Sequence, residues 1–316
     1  MAGTHHPIQK VTVVGAGLIG SSWAALFLQH GLEVVVTDLR PEAEASMRQS
    51  VAGMLDKNAQ ALTGLRFEID LARACDGTDF VQECAIERRT AKIDLFRELD
   101  AYTRPDVLLA SSSSALSVSD MQSACAHPER VVLGHPFNPP HLVPLVEVGG
   151  GAQTDPDALQ RAEAFYASVG KVPVRIDRET YGHIANRLQA AVFREAIHLL
   201  DSGIASVEAI DAALNEGPGL RWAFMGPFLA FHMGGGAGGI EGFWKMFTPM
   251  QRKLFAELGQ PTLDDAQIAR VSRAVQDAYG LAPPPDLVAA RDAFLRQVIA
   301  VKAASRDAGE EADTAD

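Results

Sequence analysis

The sequence predicts an α/β protein in which a doubly wound parallel sheet domain is followed by an all-α domain. Over roughly the first 180 residues, short β-branched runs alternate with amphipathic helical patterns, whereas the remainder has helical patterns and no convincing strand. A length of 316 residues allows two ordinary domains, and 47% hydrophobic with 22% charged residues is typical of globular proteins. We therefore assign residues 8–182 to the sheet domain, residues 183–303 to the helical domain and residues 304–316 to a disordered acidic tail.

The chain begins with a βαβ unit. Residues 11–15 form a β-branched run that ends at a glycine cluster, residues 21–30 carry apolar side chains at helical spacing, and residues 34–38 form a second β-branched run. A strand, a glycine turn, a helix and a second strand within about 30 residues define a right-handed βαβ crossover. This unit starts the predicted parallel sheet.

The same alternation continues through the rest of the sheet domain. Further helices are predicted over residues 40–62, 87–102 and 157–170, and strands over residues 78–85, 106–111, 131–140, 142–150 and 171–176. Helical patterns then follow, beginning with residues 185–203. The glycine-rich stretch at residues 234–239 lacks the Lys-Ser/Thr pair of a phosphate-binding loop, so we interpret it as a flexible loop.

Charge and composition argue against several classes of function. The net charge of −12 repels phosphate backbones, so no nucleic-acid partner is expected. The chain has no run of about 18 apolar residues, and its first ten residues lack the apolar segment of a secretory signal. Cys75, Cys84 and Cys125 lie outside any metal-ligand or disulfide pattern. These features predict a cytoplasmic protein with no membrane association and no metal.

Residues 15–20 read GAGLIG and match the pattern GxGxxG. The pattern follows a predicted strand, opens a predicted helix and precedes Asp38 at the end of the second strand. In this context the glycines permit a tight turn and a close approach of the backbone to a pyrophosphate at the helix N-terminus. The pattern predicts a Rossmann domain that binds NAD through the Asp38 carboxylate, whereas Arg40 leaves residual NADP use open. The residues of this motif predicted to bind the cofactor are Gly15, Gly17, Leu18, Ile19, Gly20 and Asp38.

A histidine and a glutamate form the second candidate constellation. His135 follows the apolar run VVLG and should lie at the carboxyl edge of a strand, where open α/β sheets bind ligands. Glu147 lies in the apolar run LVPLVEV, where a neighbouring cation would stabilise its carboxylate. A His–Glu pair suits alcohol oxidation, because the imidazole accepts the hydroxyl proton as hydride leaves the carbon. We predict that the two residues are the acid–base pair of a dehydrogenase.

Five segments, GAGLIG, ASSSSALS, GHPFNPP, VPLVEV and HIANRLQ, resemble in order and spacing the motifs of the L-3-hydroxyacyl-CoA dehydrogenase superfamily. The resemblance spans residues 10–300 approximately and is closest to the branch of L-gulonate 3-dehydrogenase, with L-carnitine dehydrogenase as a near neighbour. It implies an N-terminal Rossmann domain, a helical domain that builds a homodimer, and a site in the cleft between the two domains.

The resemblance also implies roles for individual residues. It makes His135 the catalytic base and Glu147 its partner, while Ser114 of ASSSS and Asn186 of ANRLQ would hydrogen-bond the reacting oxygen. These four residues form the predicted catalytic set. Their presence argues against the one alternative from a different class, a non-catalytic protein that binds NAD for a structural or sensory purpose.

The cofactor residues implied by the resemblance extend beyond the glycine motif. Asn138 would lie beside the nicotinamide, and Glu87 and Lys92 would contact the cofactor on its ribose or nicotinamide side. The sequence departs from the family's usual motifs at two places, with Ser-Ser at residues 112–113 in place of Asn-Thr and Tyr-Gly-His at residues 181–183 in place of Pro-Gly-Phe. We expect both departures to change the shape of the pocket and to leave the acid–base pair unaffected.

The presence of Arg221 indicates which class of substrate the protein binds. The acyl-CoA branch has no arginine in the stretch that corresponds to residues 217–227, and a guanidinium suits a free carboxylate, which a thioester does not offer. We therefore predict NAD-dependent oxidation of the 3-hydroxyl of a small free hydroxy acid, similar to L-gulonate, to the 3-keto acid. Trp222 and Phe224 keep L-carnitine as an alternative, because aromatic faces suit a quaternary ammonium. An L-3-hydroxyacyl-CoA substrate remains a further alternative for the function, and a structural ion pair at the domain interface remains the alternative role of Arg221.

Overall fold

The computed structural model describes residues 7–55, 59–282 and 284–313, and its backbone packing divides the chain into two compact units with the boundary between Arg187 and Leu188. The first unit holds a sheet flanked by helices and the second is helical, which confirms the predicted fold class. The boundary lies five residues after the predicted one at residue 182.

The first unit contains all strands among the described residues. The strands are β1 (Lys10–Val14), β2 (Glu33–Thr37), β3 (Leu65–Glu68), β4 (Phe80–Glu83), β5 (Leu108–Ser111), β6 (Val131–Pro136), β7 (Leu145–Gly150) and β8 (Val172–Ile176). The helices are α1 (Leu18–Gln29), α2 (Ala43–Met54), α3 (Leu71–Cys75), α4 (Arg89–Tyr102), α5 (Val118–Gln122) and α6 (Pro156–Ser168), with 3-10 helices at Ala59–Gly64 and Pro128–Arg130.

Two short elements of the sheet unit are not predicted by the sequence patterns. Strand β3 has only four residues, and two of them, Arg66 and Glu68, are charged, so it has no apolar run. Helix α3 is a single turn that Asp70 caps by accepting a hydrogen bond from the amide of Arg73. Helix α2 also ends at Met54 instead of continuing to residue 62, since Gly53 in its last turn lowers the helix propensity.

The eight strands lie in the order β3-β2-β1-β4-β5-β6-β7-β8. Neighbouring strands are parallel, except that β6 and β7 are antiparallel. Strands β7 and β8 therefore run opposite to the other six. The antiparallel pair brings the end of β6 next to the start of β7, and this edge of the sheet carries the candidate site.

The core of the sheet unit consists of two apolar clusters, one on each face of the sheet. Successive side chains of a strand point to opposite faces, so Val132 belongs to one cluster and its neighbours Val131 and Leu133 to the other. Helices α1 and α6 cover the first face with stacked aromatic rings, among them Trp23 and Phe27. Helices α4 and α5 cover the second face.

The second unit is built from α7 (Ala185–Asp201), α8 (Val207–Asn215), α9 (Pro218–Trp222), α10 (Pro227–Gly234), α11 (Gly239–Glu257), α12 (Asp265–Tyr279) and α13 (Pro285–Asp313), with a 3-10 helix at Gly236–Gly238. Helix α7 begins three residues before the boundary between the units. None of the described helices is both long enough and apolar enough to cross a membrane.

Two predictions about the helical unit differ from the structure. The predicted disordered tail at residues 304–316 is helical through Asp313, because alanine, glutamate and arginine in this stretch favour the helix, and residues 314–316 lie outside the described residues. The glycine-rich stretch at residues 234–239 is a short connection, because α10 ends at Gly234, one 3-10 turn follows, and α11 begins at Gly239.

Candidate active site

The glycine turn between β1 and α1 has the geometry that a dinucleotide requires. Gly15 has a φ of 106°, and a β-carbon there would lie 2.7 Å from the carbonyl oxygen of Cys84. A β-carbon at Gly20 would collide with the carbonyl group of Gly15, whereas the space beside Gly17 is open. Among the described residues no side chain caps α1 at Gly17, and its first turn has no acidic residue. The amides of this turn are therefore available to phosphates.

A cavity of about 410 Å³ lies beside the glycine turn. Its lining joins Gly17 to Arg40, which follows β2, and to Ser46 and Ser50 of α2. The cavity thus connects the helix N-terminus with the end of β2, the two places at which Rossmann domains bind the pyrophosphate and the ribose of a dinucleotide. The residues present fit a bound dinucleotide.

Asp38 is held in place at the end of β2 by hydrogen bonds to both of its oxygens. Oδ2 accepts from the amide of Ala16 at 2.9 Å, and Oδ1 accepts from Nε of Arg40 at 3.0 Å. Partial burial raises the pKa of Asp38, but the hydrogen bonds from Arg40 and Ala16 outweigh this effect and hold the pKa below its usual value. The carboxylate is therefore ionised at neutral pH, and in this structure it is hydrogen-bonded to the guanidinium of Arg40.

We expect the ionised Asp38 to disfavour NADPH, because it repels a 2′-phosphate. The protein should bind NADH at least about tenfold more tightly than NADPH, a difference of about 1.4 kcal/mol, and Asp38→Ser should narrow this ratio. Calorimetric titration of both nucleotides measures it without a substrate. Asp94→Ser, an exposed carboxylate on α4, serves as the control and should leave the ratio unchanged. Equal binding of the two nucleotides by the unmutated protein would mean that Arg40 governs the pocket.

Strands β6 and β7 bring the predicted acid–base pair together. Their register pairs His135 directly with Glu147. Nδ1 of His135 lies 2.8 Å from Oε2 of Glu147, and the two side chains are only 5% and 1% exposed. Since an ionised carboxylate can only accept, Nδ1 carries a proton, and a neutral imidazole held in this orientation has its lone pair at Nε2. This is the tautomer that a general base acting through Nε2 requires.

The N-terminus of α7 fixes the other oxygen of Glu147. Oε1 accepts hydrogen bonds from the amides of Ile184 and Ala185 at 2.8 and 2.9 Å. Burial raises the pKa of Glu147, but the hydrogen bonds from His135 and from the two amides outweigh it, so the pKa lies below its usual value. The same bonds hold the first turn of α7 in the sheet unit. This explains why the boundary between the units lies after Arg187 and not after residue 182 as predicted.

The predicted oxygen-binding residues differ in their contacts. Ser114 lies in the loop after β5, and its Oγ is 3.2 Å from Nε2 of His135. Asn186 is the second residue of α7 and is partly exposed, and no hydrogen-bond partner of its side chain is found among the described residues. The structure therefore brings Ser114 to the base, while the roles of both residues toward a substrate stay predictions.

A buried ion-pair network supports the loop that carries Ser114. Nζ of Lys92 lies 2.7 and 2.8 Å from the two carboxylate oxygens of Glu83 at the end of β4, and 3.3 Å from Oε2 of Glu87. Oε1 of Glu87 in turn accepts from the amides of Ser114 and Ala115 at 3.1 and 3.2 Å. The network thus connects the end of β4 with the serine loop beside His135.

This network changes the interpretation of two predicted cofactor residues. The Lys92 side chain is 2% exposed, and its donors serve Glu83, Glu87 and the carbonyl group of Ala85. Burial lowers the pKa of Lys92, but the two carboxylates outweigh it, so the pKa is raised and the amine stays charged. Its contact with the cofactor stays a prediction. Glu87 is 41% exposed, and its contact with the cofactor stays a prediction.

Asn138 lies on the exposed surface of the β6–β7 connection, next to a cis peptide bond to Pro139. The buried amine of Lys171 holds this connection by donating to the carbonyl groups of Pro140 and Val143 at 2.7 and 2.6 Å. Burial lowers the pKa of Lys171 to about 7. The position of Asn138 is thus fixed by the fold, and its place beside the nicotinamide stays a prediction.

Arg221 lies in the second unit, at the end of the short helix α9. Its side chain is exposed, and no ion-pair partner of its guanidinium is found in the described part of the chain. The adjacent Trp222 is 44% exposed and Phe224 is 73% exposed.

Two residues of the site were not predicted. Glu83 could have been found as a charged residue at the end of an apolar strand, next to the serine loop. His183, one of the residues at which the sequence departs from the family's usual motif, packs its ring against that of His135 at 4.8 Å between centroids. No cluster of three or more potential metal ligands occurs among the described residues.

A Rossmann-type sheet with a glycine turn and a buried His–Glu pair defines the class of nicotinamide-dependent dehydrogenases that act on a hydroxyl group. Comparison with protein families agrees with this class. Residues 10–180 match the NAD-binding domain of 3-hydroxyacyl-CoA dehydrogenase, and residues 182–280 match its C-terminal domain. The chain belongs to the 3-hydroxyacyl-CoA dehydrogenase family, which confirms the predicted dehydrogenase activity and the NAD cofactor.

Several relatives are similar to this protein over nearly the whole length of the chain. An L-carnitine dehydrogenase of Bacillus cereus is 41% identical over 92% of both chains, and one of Streptomyces coelicolor is 42% identical over 97% of this chain and 98% of its own. Among solved structures, 5-formyl-3-hydroxy-2-methylpyridine 4-carboxylic acid 5-dehydrogenase, described as an NAD+-dependent dismutase, has a TM-score of 0.78 and 26% identity over 94% of this chain and 98% of its own.

Proposed function

We propose that this dehydrogenase oxidises the 3-hydroxyl of a small free hydroxy acid to the 3-keto acid, and that the acid is L-carnitine. The observation that carries the proposed chemistry is the orientation of His135, whose Nδ1 is bound by Glu147 and whose Nε2 faces Ser114. The names of the similar proteins favour L-carnitine over the L-gulonate-like substrate that the sequence analysis placed first.

The chain supplies the proton chemistry of this reaction. Nε2 of His135 accepts the proton of the substrate hydroxyl, and the positive charge that forms on the imidazole is stabilised by Glu147 at Nδ1. The hydroxyl of Ser114, beside Nε2, donates a hydrogen bond to the reacting oxygen. NAD+, when bound, would accept the hydride from the carbon that carries this hydroxyl.

The free carboxylate of the proposed substrate is assigned to Arg221. A guanidinium presents a planar pair of donors to a carboxylate, and the described residues leave this one without an ion pair. The similar proteins support a free acid, because the named substrates of the carnitine and pyridine dehydrogenases both carry a carboxylate. Trp222 and Phe224 offer aromatic faces for the quaternary ammonium of L-carnitine.

Substrate kinetics test this proposal. We expect NADH formation with L-carnitine to exceed that with L-gulonate, L-3-hydroxybutyrate and 3-hydroxybutyryl-CoA. Arg221→Met should lower kcat/KM for L-carnitine by about 10- to 150-fold, since a hydrogen bond to a charged group contributes about 1.5–3 kcal/mol. NAD binding should not change, and Arg273→Met, an exposed arginine on α12, should retain full activity. A preference for the CoA thioester, or an unchanged kcat/KM in Arg221→Met, would contradict the free-acid assignment.

We also propose that the helical unit forms a homodimer. Many of its large apolar side chains are exposed, including Phe193, Phe228, Met246 and Phe255 at 61%, 87%, 67% and 64%. Apolar surface of this extent is typical of a protein interface rather than of a monomer in water. The molar mass in solution, measured by light scattering, should therefore be twice the 33.8 kDa of one chain.

A further inference from the structure

The short segment of residues 183–185 contacts both residues of the acid–base pair and the neighbouring serine loop. The ring of His183 packs on that of His135 at 4.8 Å and an interplanar angle of 53°. Its Nε2 lies 2.9 Å from the carbonyl oxygen of Ser113, the residue before Ser114. The two amides that follow His183 bind Glu147, as described above. The segment that begins at His183 therefore touches the base, its carboxylate and the serine loop.

The hydrogen bond to Ser113 defines the tautomer of His183. A backbone carbonyl can only accept, so Nε2 of His183 carries a proton. The side chain is 6% exposed, and this burial is the largest influence on the pKa of His183, which it lowers. A proton on His135 would lower the pKa of His183 further. The Ser113 carbonyl and the carboxylates of Glu147 and Glu87 raise it, but their combined effect is smaller.

The backbone places this ring by an unusual conformation. His183 has a φ of 51°, in the left-handed region that side chains other than glycine rarely adopt, and it follows Gly182 at 77°. Its amide donates to the carbonyl group of Thr180 at 3.3 Å. Conformations of this kind persist where the surrounding structure holds them, and they are concentrated at functional sites. The turn directs the His183 ring toward His135.

We propose that His183 is a positioning residue for the dehydrogenase reaction, acting as a neutral imidazole that holds the His135 ring by packing and the Ser113–Ser114 loop by its Nε2–H. The ring contact positions His135, and the hydrogen bond to Ser113 positions the serine loop. Together they set the distance between Nε2 of His135 and Oγ of Ser114. A phenylalanine at this position would retain the packing and lose the anchor of the serine loop. This inference rests on the proposed function in so far as it concerns turnover.

Two variants separate the contacts of His183. His183→Phe retains a ring and removes the donor, whereas His183→Gln retains a donor and removes the ring. We expect each to lower kcat by about 10- to 100-fold, because small displacements of reacting groups are costly, with the Kd for NADH unchanged. In a Ser114→Ala background, His183→Phe should have little further effect on kcat, because both changes act on one loop. His30→Phe, an exposed histidine at the end of α1, is the matched control and should retain full turnover.

An NMR measurement tests the same inference without a substrate. Nitrogen-15 shifts should show His183 neutral and protonated at Nε2 at pH 6.5, and the Nε2 resonance of His135 should move in His183→Phe but not in His30→Phe. A kcat within twofold of the unmutated value in His183→Phe, or additive effects with Ser114→Ala, would overturn the positioning role. So would a charged His183, or an unmoved His135 resonance. If no proposed substrate reacts, the function proposal fails and the NMR result alone decides the role of His183.

Discussion

Replacing His135 with glutamine is expected to lower kcat by about 10²–10⁴, the usual contribution of a general base. Glutamine occupies a similar volume and can still hydrogen-bond to Glu147, but it cannot accept the substrate proton at the place where Nε2 stands. Steady-state NADH formation with the substrate that reacts fastest measures the change.

The cofactor provides the control for this result. The glycine turn and Asp38, and not His135, form the predicted nucleotide site, so the Kd for NADH should stay within about twofold, a change of less than 0.5 kcal/mol. Glu147→Gln should also lower kcat, because its amide cannot stabilise the imidazolium as an ionised carboxylate does. Near-normal turnover in His135→Gln would exclude this residue as the base.

Replacing Lys92 with methionine is expected to lower the free energy of unfolding by about 3–5 kcal/mol, the cost of leaving one partner of a buried ion pair alone. The Glu83 side chain is fully buried, and Lys92 supplies contacts to both of its oxygens. The only other side chain that donates to this carboxylate among the described residues is Ser111, at 2.7 Å. Urea denaturation followed by circular dichroism measures the change.

A second variant separates the loss of the ion pair from the loss of packing. In Lys92→Met with Glu83→Gln, no unpaired charge remains in the core, and we expect a large part of the lost stability to return. Lys253→Met is the matched control, because the ion pair of Lys253 with Glu257 is exposed and should contribute less than about 1 kcal/mol. If Lys92→Met unfolds no more easily than this control, the network does not stabilise the fold.

Much of this protein follows from local sequence patterns. The alternation of β-branched runs with amphipathic stretches predicts most strands of the sheet and the helical second unit, because side-chain periodicity reflects which face of an element is buried. The glycine turn at residues 15–20 is equally local, since its strand, turn and helix follow one another in the chain. Short charged elements such as β3 have no such pattern and were missed.

Tertiary structure alone decides how the catalytic groups meet. His135 and Glu147 are 12 positions apart in the chain, and only the antiparallel register of β6 and β7 makes them direct neighbours. The buried ion pair of Lys92 with Glu83 likewise becomes visible only in the fold, because the two residues belong to different elements. The sequence showed His183 only as an unusual residue, and the left-handed turn before α7 brings its ring to His135. These outcomes depend on which strands adjoin and which charges become buried, and neither is encoded in the spacing of residues along a single element.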